Sequence, residues 1–256
     1  MKLVKEIHSH FVDQQERLDH MIHNFEGIGT QLGKGERNKI KTVDLDAFLL
    51  NIKSFKKPKF INKIAYQYFR KSKAERSYKY ATRLLANGIA TPQPVGYYIF
   101  SDYLGILDSY YVSEHLACDL TYRELVENAT YPDHENILRQ FTRFTHKLHE
   151  KGVFFKDHSP GNTLIKKNGD VYDFYLVDLN RMNFMETMSF ELRMKNFSRL
   201  TPKKEMVAIM SDEYAKITEW NYEKIYGEMW RLTDQFQQKY YRKIRLKKKY
   251  LFWRKK

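Results

Sequence analysis

The order of textures along the chain is the tightest constraint on its fold. Residues 28–55 break into short runs with strand character, IGTQLGKG, NKIKTVDL and AFLLNIKSF, punctuated by Gly33, Gly35 and an Asp-bearing turn. A helical stretch is expected over 60–87, with Ser72 placed to cap KAERSYKYATRLLANG and Gly88 to end it. TPQPVGYYIF and SYYVSEHL read as two further strands, and Phe141–Glu150 as a helix. Two short strands follow, TLIKKNG and YDFYLVDLN, and then helices to the end. Ahead of all this, residues 3–24 read as a polar helix with apolar positions at Leu3, Ile7, Phe11, Leu18 and Ile22. Strands with one inserted helix, then a helical remainder, make an α+β chain. Its expected parts are a β-rich N-terminal lobe over about 1–112 and an α-rich C-terminal lobe over about 113–238. The 256 residues suit one large domain or two lobes of one unit, with ample length for a core.

The segment FKDHSPGNTLI, residues 155–165, joins the helix to the later strand pair. Asp157 and Asn162 lie five residues apart with the turn-forming Pro160-Gly161 between them. A carboxylate and an amide on one short loop can divide two jobs, proton acceptance and ligation of a hard cation. An Asx-type turn leading into a strand is the plainer reading, and the neighbourhood decides between them. Asp178 follows four largely apolar residues, as though a buried strand delivers it to a cleft, 21 residues after Asp157. Two acids at separate strand ends, with an asparagine five residues after the first, form the base-and-magnesium set of protein-kinase-like phosphotransferases. In that scheme Asp157 takes the proton of the attacking hydroxyl, while Asn162 and Asp178 hold Mg²⁺ between the phosphates of ATP. Oxygen ligands suit Mg²⁺ because it is hard and near-octahedral.

The same scheme asks for a lysine on an upstream strand and an acid on the following helix. Lys53 in LLNIKSF alternates as a strand residue should, and Glu75 stands on the next helix. A Lys53–Glu75 pair would steady the lysine against the α- and β-phosphates. Alternatively, Glu75 relieves repulsion among its basic neighbours. Gly33 and Gly35 in GKGERN stand where a phosphate-covering loop belongs, but the third glycine of G-x-G-x-x-G is missing.

The net charge of +14 is concentrated in two places. Residues 239–256 hold ten Lys or Arg and no acid, and residues 53–79 hold ten against the single Glu75. The remainder carries 25 basic and 30 acidic residues, so the basicity is localised recognition on a mildly acidic body. In the tail the cations alternate with Tyr240, Tyr241, Ile244, Leu246, Tyr250, Leu251, Phe252 and Trp253. That mixture suits an interfacial segment on an anionic membrane; a solvated tail and RNA binding are the other readings. No apolar run approaches the roughly 18 residues of a membrane span. The opening residues show no secretion leader, so a cytoplasmic protein is expected, peripheral to a membrane if that tail is its anchor. One cysteine, Cys118, excludes a disulfide framework and is expected to pack. His146 and His149 lie at i, i+3 without HExxH or a third ligand, so a structural role is expected for them.

HEKGVFFKDHSPGNTLI, followed by FYLVDLNRM, resembles the lipopolysaccharide core kinase family, the heptose and Kdo (3-deoxy-D-manno-octulosonic acid) kinases of the protein-kinase-like superfamily. The matching positions are His149, Gly152-Val153, Asp157, Pro160-Gly161-Asn162, Asp178 and Arg181, and the likeness runs from about residue 30 to 200. Phe155 departs from the histidine or tyrosine usual there, and Asn180 from the glycine of D-F-G. The resemblance implies a two-lobed protein-kinase-like fold, ATP and Mg²⁺ as cofactors, and a lipid-linked core oligosaccharide as acceptor. Nucleic acid is not an expected partner. A serine/threonine or small-molecule kinase, or a non-catalytic adaptor on the same fold, are the competing readings.

Overall fold

The structure, a computed structural model, describes residues 1–33, 38–55, 71–103 and 105–250. The chain divides into two compact units. The first comprises Met1–Ala117 with Leu176–Arg181, and the second comprises Cys118–Tyr175 with Met182–Lys256.

The first unit is built on a six-stranded antiparallel sheet of β1 (Lys2–Ile7), β2 (Thr30–Leu32), β3 (Asn38–Leu45), β4 (Phe48–Phe55), β5 (Pro94–Asp102) and β6 (Gly105–Glu114). The spatial order is β1-β5-β6-β4-β3-β2. Helix α1 (Gln15–His23) lies on one face, where Phe11, Leu18 and Ile22 join Leu45, Leu50, Ile52, Tyr98 and Val112 in a core. Helix α2 (Lys73–Ala86) covers the other, where Ala74 and Tyr78 meet Phe55, Tyr97 and Ile99. Tyr97 and Tyr98 are adjacent yet belong to opposite faces, as the two-residue period of a strand requires. Burial on both faces explains the unbroken apolar run of β5. Strands β3 and β4 meet in a two-residue turn that closes on the Leu45–Phe48 pair, with Asp46 in the left-handed region at φ 51°.

The N-terminal segment departs from the expected helix over 3–24. Residues 2–7 are an edge strand paired with β5 from Lys2–Ser101 to Ile7–Gly96, Ser9–Gln14 is a 3-10 turn, and only Gln15–His23 is α-helix. Leu3, Ile7, Phe11, Leu18 and Ile22 fit a helical spacing, but the backbone groups of β5 offered a partner that local periodicity cannot foresee. The expected helix over 60–87 is α2 in its described part, capped by the Ser72 hydroxyl accepting from Glu75 N at 3.0 Å; residues 60–70 lie outside the described residues.

The second unit holds β7 (Leu120–Thr121), β9 (Thr163–Asn168) and β10 (Val171–Leu176) in one small sheet, and β8 (Val153–Phe155) with β11 (Met182–Phe184) in another. Its helices are α3 (Tyr122–Glu127), α4 (His134–Glu150), α5 (Phe190–Phe197), α6 (Lys204–Thr218) and α7 (Tyr222–Tyr250). Their core joins Leu125, Leu138, Phe141, Phe197, Met210 and Met229. Helix α4 starts seven residues before the expected Phe141, because Ile137 and Leu138 extend its buried stripe. Helix α7 runs unbroken through position 239, where a separate tail was expected to begin. Its buried residues are Ile225, Met229 and Thr233; beyond them all but Ile244 of residues 239–250 is exposed. Cys118, expected to pack, is exposed.

Candidate active site

In the first unit, β4 turns Leu50 and Ile52 into the α1-side core and therefore sends Lys53 and Phe55 to the opposite face. The Lys53 ammonium lies 5.3 Å from the Phe55 ring centre and donates to Asp178 Oδ1 at 2.6 Å. Asp178 stands two residues beyond the end of β10, in the left-handed region at φ 58°. Leu176 anchors that strand end, donating from its amide to Ala90 O at 3.1 Å and accepting from Thr91 Oγ1 at 2.7 Å. Asn180 Nδ2 donates to the same Asp178 oxygen at 2.8 Å. Where the family pattern has glycine, this buried amide orients the aspartate.

The expected Lys53–Glu75 pair is not formed. Glu75 bonds Lys79, its i+4 neighbour, at 2.9 Å and lies 3.9 Å from Lys71. Helical spacing places Lys79 beside Glu75 whatever the rest of the unit does. The bond that Lys79 donates to the Glu75 carboxylate raises its ammonium above its ordinary range. Gly33 follows β2 at φ +70°, the left-handed conformation of a turn, and among the described residues nothing lies within 4 Å of where a side chain would start. Gly35 lies outside the described residues.

In the second unit, β8 leads into the loop that carries Asp157 and Asn162. Gly152 enters it at φ +64°, and a Cβ there would sit 1.8 Å from Met185 O, so only glycine lets β8 and β11 approach. Pro160–Asn162 forms the expected turn as one 3-10 turn. Asn162 N donates to Ser159 O at 2.9 Å and Asn162 Nδ2 to Asp157 O at 2.8 Å. Nδ2 is thereby committed to its own loop, and the other end of the amide is an oxygen, the donor type a hard cation takes. The Asp157 carboxylate accepts from Arg199 Nη1 at 2.6 Å.

A buried chain of hydrogen bonds supports the strand before this loop. Asn196 Nδ2 donates to Phe155 O at 2.8 Å, so its Oδ1 must accept from His149 Nε2 at 3.1 Å. That fixes His149 Nδ1 as the acceptor for the Tyr214 hydroxyl at 3.0 Å. His149 is thus structural, as expected of it. His158 turns inward and stacks on Phe155 at 5.6 Å between centroids. Burial holds His149 well below its ordinary value and lowers His158 to about 4. Both rings are neutral in the fold and protonate near 6.5 once unfolded. Their contribution to stability is therefore complete above pH 6.5 and is lost as pH falls from 6.5 toward 4. Urea unfolding at pH 7.5 and pH 5 should show this loss, and His158→Phe should reduce it; equal slopes in the variant and the parent would remove His158 from the account.

Among the described residues no three His, Cys, Asp or Glu side chains gather to cage a metal. Mg²⁺ in phosphotransferases is held by one or two protein oxygens together with substrate phosphates, and an amide oxygen and a carboxylate fit that chemistry. Sequence reasoning missed Arg199, Asn196 and the orienting role of Asn180.

A family model, the lipopolysaccharide kinase (Kdo/WaaP) family, matches residues 56–226, about two thirds of the chain. Among solved structures, WaaP in complex with acyl carrier protein is similar, with a TM-score of 0.63 at 16% identity over 93% of this chain and 98% of that one. A crystal structure of WbdD has a TM-score of 0.47 at 14% identity, over 80% of this chain and 45% of that one. A search of curated proteins found no match. At such identity the likeness to WaaP speaks for the fold, and the fold is α+β and protein-kinase-like, with a β-rich N-terminal part and a helical C-terminal part. The chain belongs to the lipopolysaccharide kinase (Kdo/WaaP) family. It is accordingly a kinase of lipopolysaccharide biosynthesis, with ATP as the donor the family implies.

Proposed function

We propose that this kinase transfers the γ-phosphoryl group of ATP to a hydroxyl of Kdo or heptose in the inner core of lipopolysaccharide, on a lipid-linked acceptor at the cytoplasmic face of the inner membrane. The observation that carries the nucleotide part of this reading is the 2.6 Å bond from Lys53 to Asp178. It unites the two charges that phosphotransferases devote to phosphates and metal. Asp157 accepts the proton of the attacking hydroxyl, Lys53 binds phosphate oxygens, and Asn162 and Asp178 offer oxygen ligands to Mg²⁺. When bound, Mg²⁺ neutralises charge developing on the phosphates. Glu75, bonded to Lys79, is given no part. Phosphate transfer to a soluble, delipidated core acceptor, followed by mass spectrometry of the product, tests the reading; turnover of ATP with no phosphorylated sugar would reject it.

The membrane part of the reading rests on α7. Between 239 and 250 it carries seven cations and no acid, with Tyr240, Tyr241, Leu246 and Tyr250 exposed. Each cation near an anionic surface contributes about 1 kcal/mol. No helix among the described residues is long and apolar enough to cross a membrane, so any attachment through this helix is interfacial. Deleting 239–256 should release the protein from anionic vesicles and abolish activity on vesicle-embedded acceptor. Activity on the soluble acceptor should remain, and full-length binding should weaken as salt rises. Vesicle binding that survives truncation would refute the anchor. Loss of binding to acyl carrier protein, the partner in the WaaP complex, with vesicle binding intact, would assign the helix to a protein partner instead.

A further inference from the structure

Arg199 lies in the turn after α5, outside the sequence motifs, and its guanidinium is committed on three sides. A single nitrogen, Nη1, donates to Asp157 Oδ1 at 2.6 Å and to Lys156 O at 2.6 Å. The third contact is the ring of Phe236, whose centroid is 5.2 Å from Cζ and which belongs to α7. We infer that Arg199 is the positioning residue of the proton acceptor Asp157, and that Phe236 is the platform that holds Arg199 in place. The inference rests on the reading of Asp157 as the base.

The two bonds of Nη1 do something a surface ion pair does not. By joining the carboxylate to the carbonyl of the preceding residue, they fix the side chain of Asp157 relative to its own backbone. Carboxylate rotation is thereby restrained without occupying either strand flanking the loop. The pair is also shielded, the Asp157 side chain being 18% exposed and Arg199 35%. Exposed pairs contribute little because solvent screens them and both side chains lose freedom. Here a ring restrains the arginine on one side, and cation–ring attraction adds to packing. The fit has a cost: Arg199 Nε is buried with no hydrogen-bond partner among the described residues. An arrangement selected for stability alone would satisfy that donor first, whereas one selected to place Nη1 between a carboxylate and a carbonyl need not.

The arrangement also gives the first half of α7 a task distinct from that of its basic end. Phe236 stands three residues before position 239, and stacks on Tyr240 at 6.4 Å. Truncation at 239 leaves the Phe236 ring, without its stacking partner Tyr240, while a substitution at 236 removes the ring itself.

The test uses the full chain and the soluble, delipidated core acceptor. Arg199→Ala should lower kcat about 10²-fold, the loss associated with misplacing a reacting group by about 1 Å. KM for ATP should not move. Arg199→Lys keeps a cation but not the planar fork and should recover part of the loss, and Phe236→Leu should fall between Arg199→Lys and the parent. Added guanidinium chloride at low millimolar concentration should partly restore Arg199→Ala and leave the parent unchanged. A kcat within twofold of the parent in Arg199→Ala, or a drop confined to KM for ATP, would overturn the inference. A second measurement does not depend on turnover. In protein labelled with ¹³C at aspartate side chains, the Asp157 carboxylate signal should be sharp in the parent and exchange-broadened in Arg199→Ala, with other aspartates unchanged. An unaltered Asp157 signal would equally overturn it. If the parent phosphorylates no sugar, the proposed acceptor fails while this signal still decides the role of Arg199.

Discussion

Asp157→Asn is expected to lower turnover at least ~10²-fold, the magnitude of general acid–base catalysis, while leaving ATP affinity near that of the parent. The substitution is nearly isosteric, and the surroundings indicate what it spares. The Asn162 amide bonds the backbone carbonyl of residue 157 and not its side chain, so the loop keeps its internal brace. An asparagine Oδ1 can still accept from Arg199 Nη1, so the guanidinium keeps a partner. Lys53 and Asp178 are bonded to each other in the first unit and are not touched. What the variant loses is the ability to take a proton. Single-turnover kinetics on the soluble acceptor, with calorimetry of ATP binding alongside, separates the two effects. Turnover near that of the parent would remove Asp157 as the base and leave the loop as an Asx-type turn.

The parts of this arrangement that sequence made legible are those written in local chemistry. The order of strands and helices followed from period-two runs and from Gly, Pro and Asp punctuation, and β3 and β4 lie where NKIKTVDL and AFLLNIKSF placed them. Ser72 caps α2 because a hydroxyl before an amphipathic run has a nearby amide to accept from. The Asp157–Asn162 turn was readable because Pro160 fixes its first φ and Gly161 carries no side chain.

What escaped depends on partners remote in sequence. Residues 2–7 became an edge strand because β5, about ninety residues away, had unpaired backbone groups. A Lys53–Glu75 pair is one of two readings of a lone acid in a basic segment, yet Lys79 is one helical turn from Glu75, and Lys53 bonds Asp178, 125 residues on. Arg199 sits 42 residues after Asp157 in NFSRLTP, a stretch with no charge pattern pointing back to the loop. Asn180 was visible as a departure from D-F-G, but its amide had a meaning only once Asp178 Oδ1 lay 2.8 Å from it. The basic end of α7 was legible in composition. That it continues a helix already packed on the core was not, since the switch from buried to exposed at Thr233 leaves the helical propensity unchanged.

Asp178→Ala is expected to cost the most in nucleotide use, and the cost has two components that must be separated. The first is functional: losing a metal-ligating carboxylate removes several kcal/mol of charge stabilisation, which is about 10²-fold or more in turnover. Affinity for ATP should fall with it, and the dependence of that affinity on Mg²⁺ should flatten. The second is structural. Lys53 is only 13% exposed, and Asp178 is its acceptor, so the alanine variant leaves a largely buried ammonium without its partner. Breaking a shielded pair on one side is worse than removing both members, because the remaining charge is left uncompensated. Part of the damage in Asp178→Ala therefore belongs to the fold of the first unit and should appear as a lower urea midpoint. Asp178→Asn divides the two. Its amide oxygen can still accept from Lys53, so stability should return toward that of the parent, whereas the lost charge should still weaken Mg²⁺-dependent ATP binding. Calorimetry of ATP binding with and without Mg²⁺, run beside urea unfolding, reads both components in each variant. If Asp178→Asn binds ATP with the affinity and Mg²⁺ dependence of the parent, Asp178 is not a metal ligand, and its bond to Lys53 serves only the fold of the first unit.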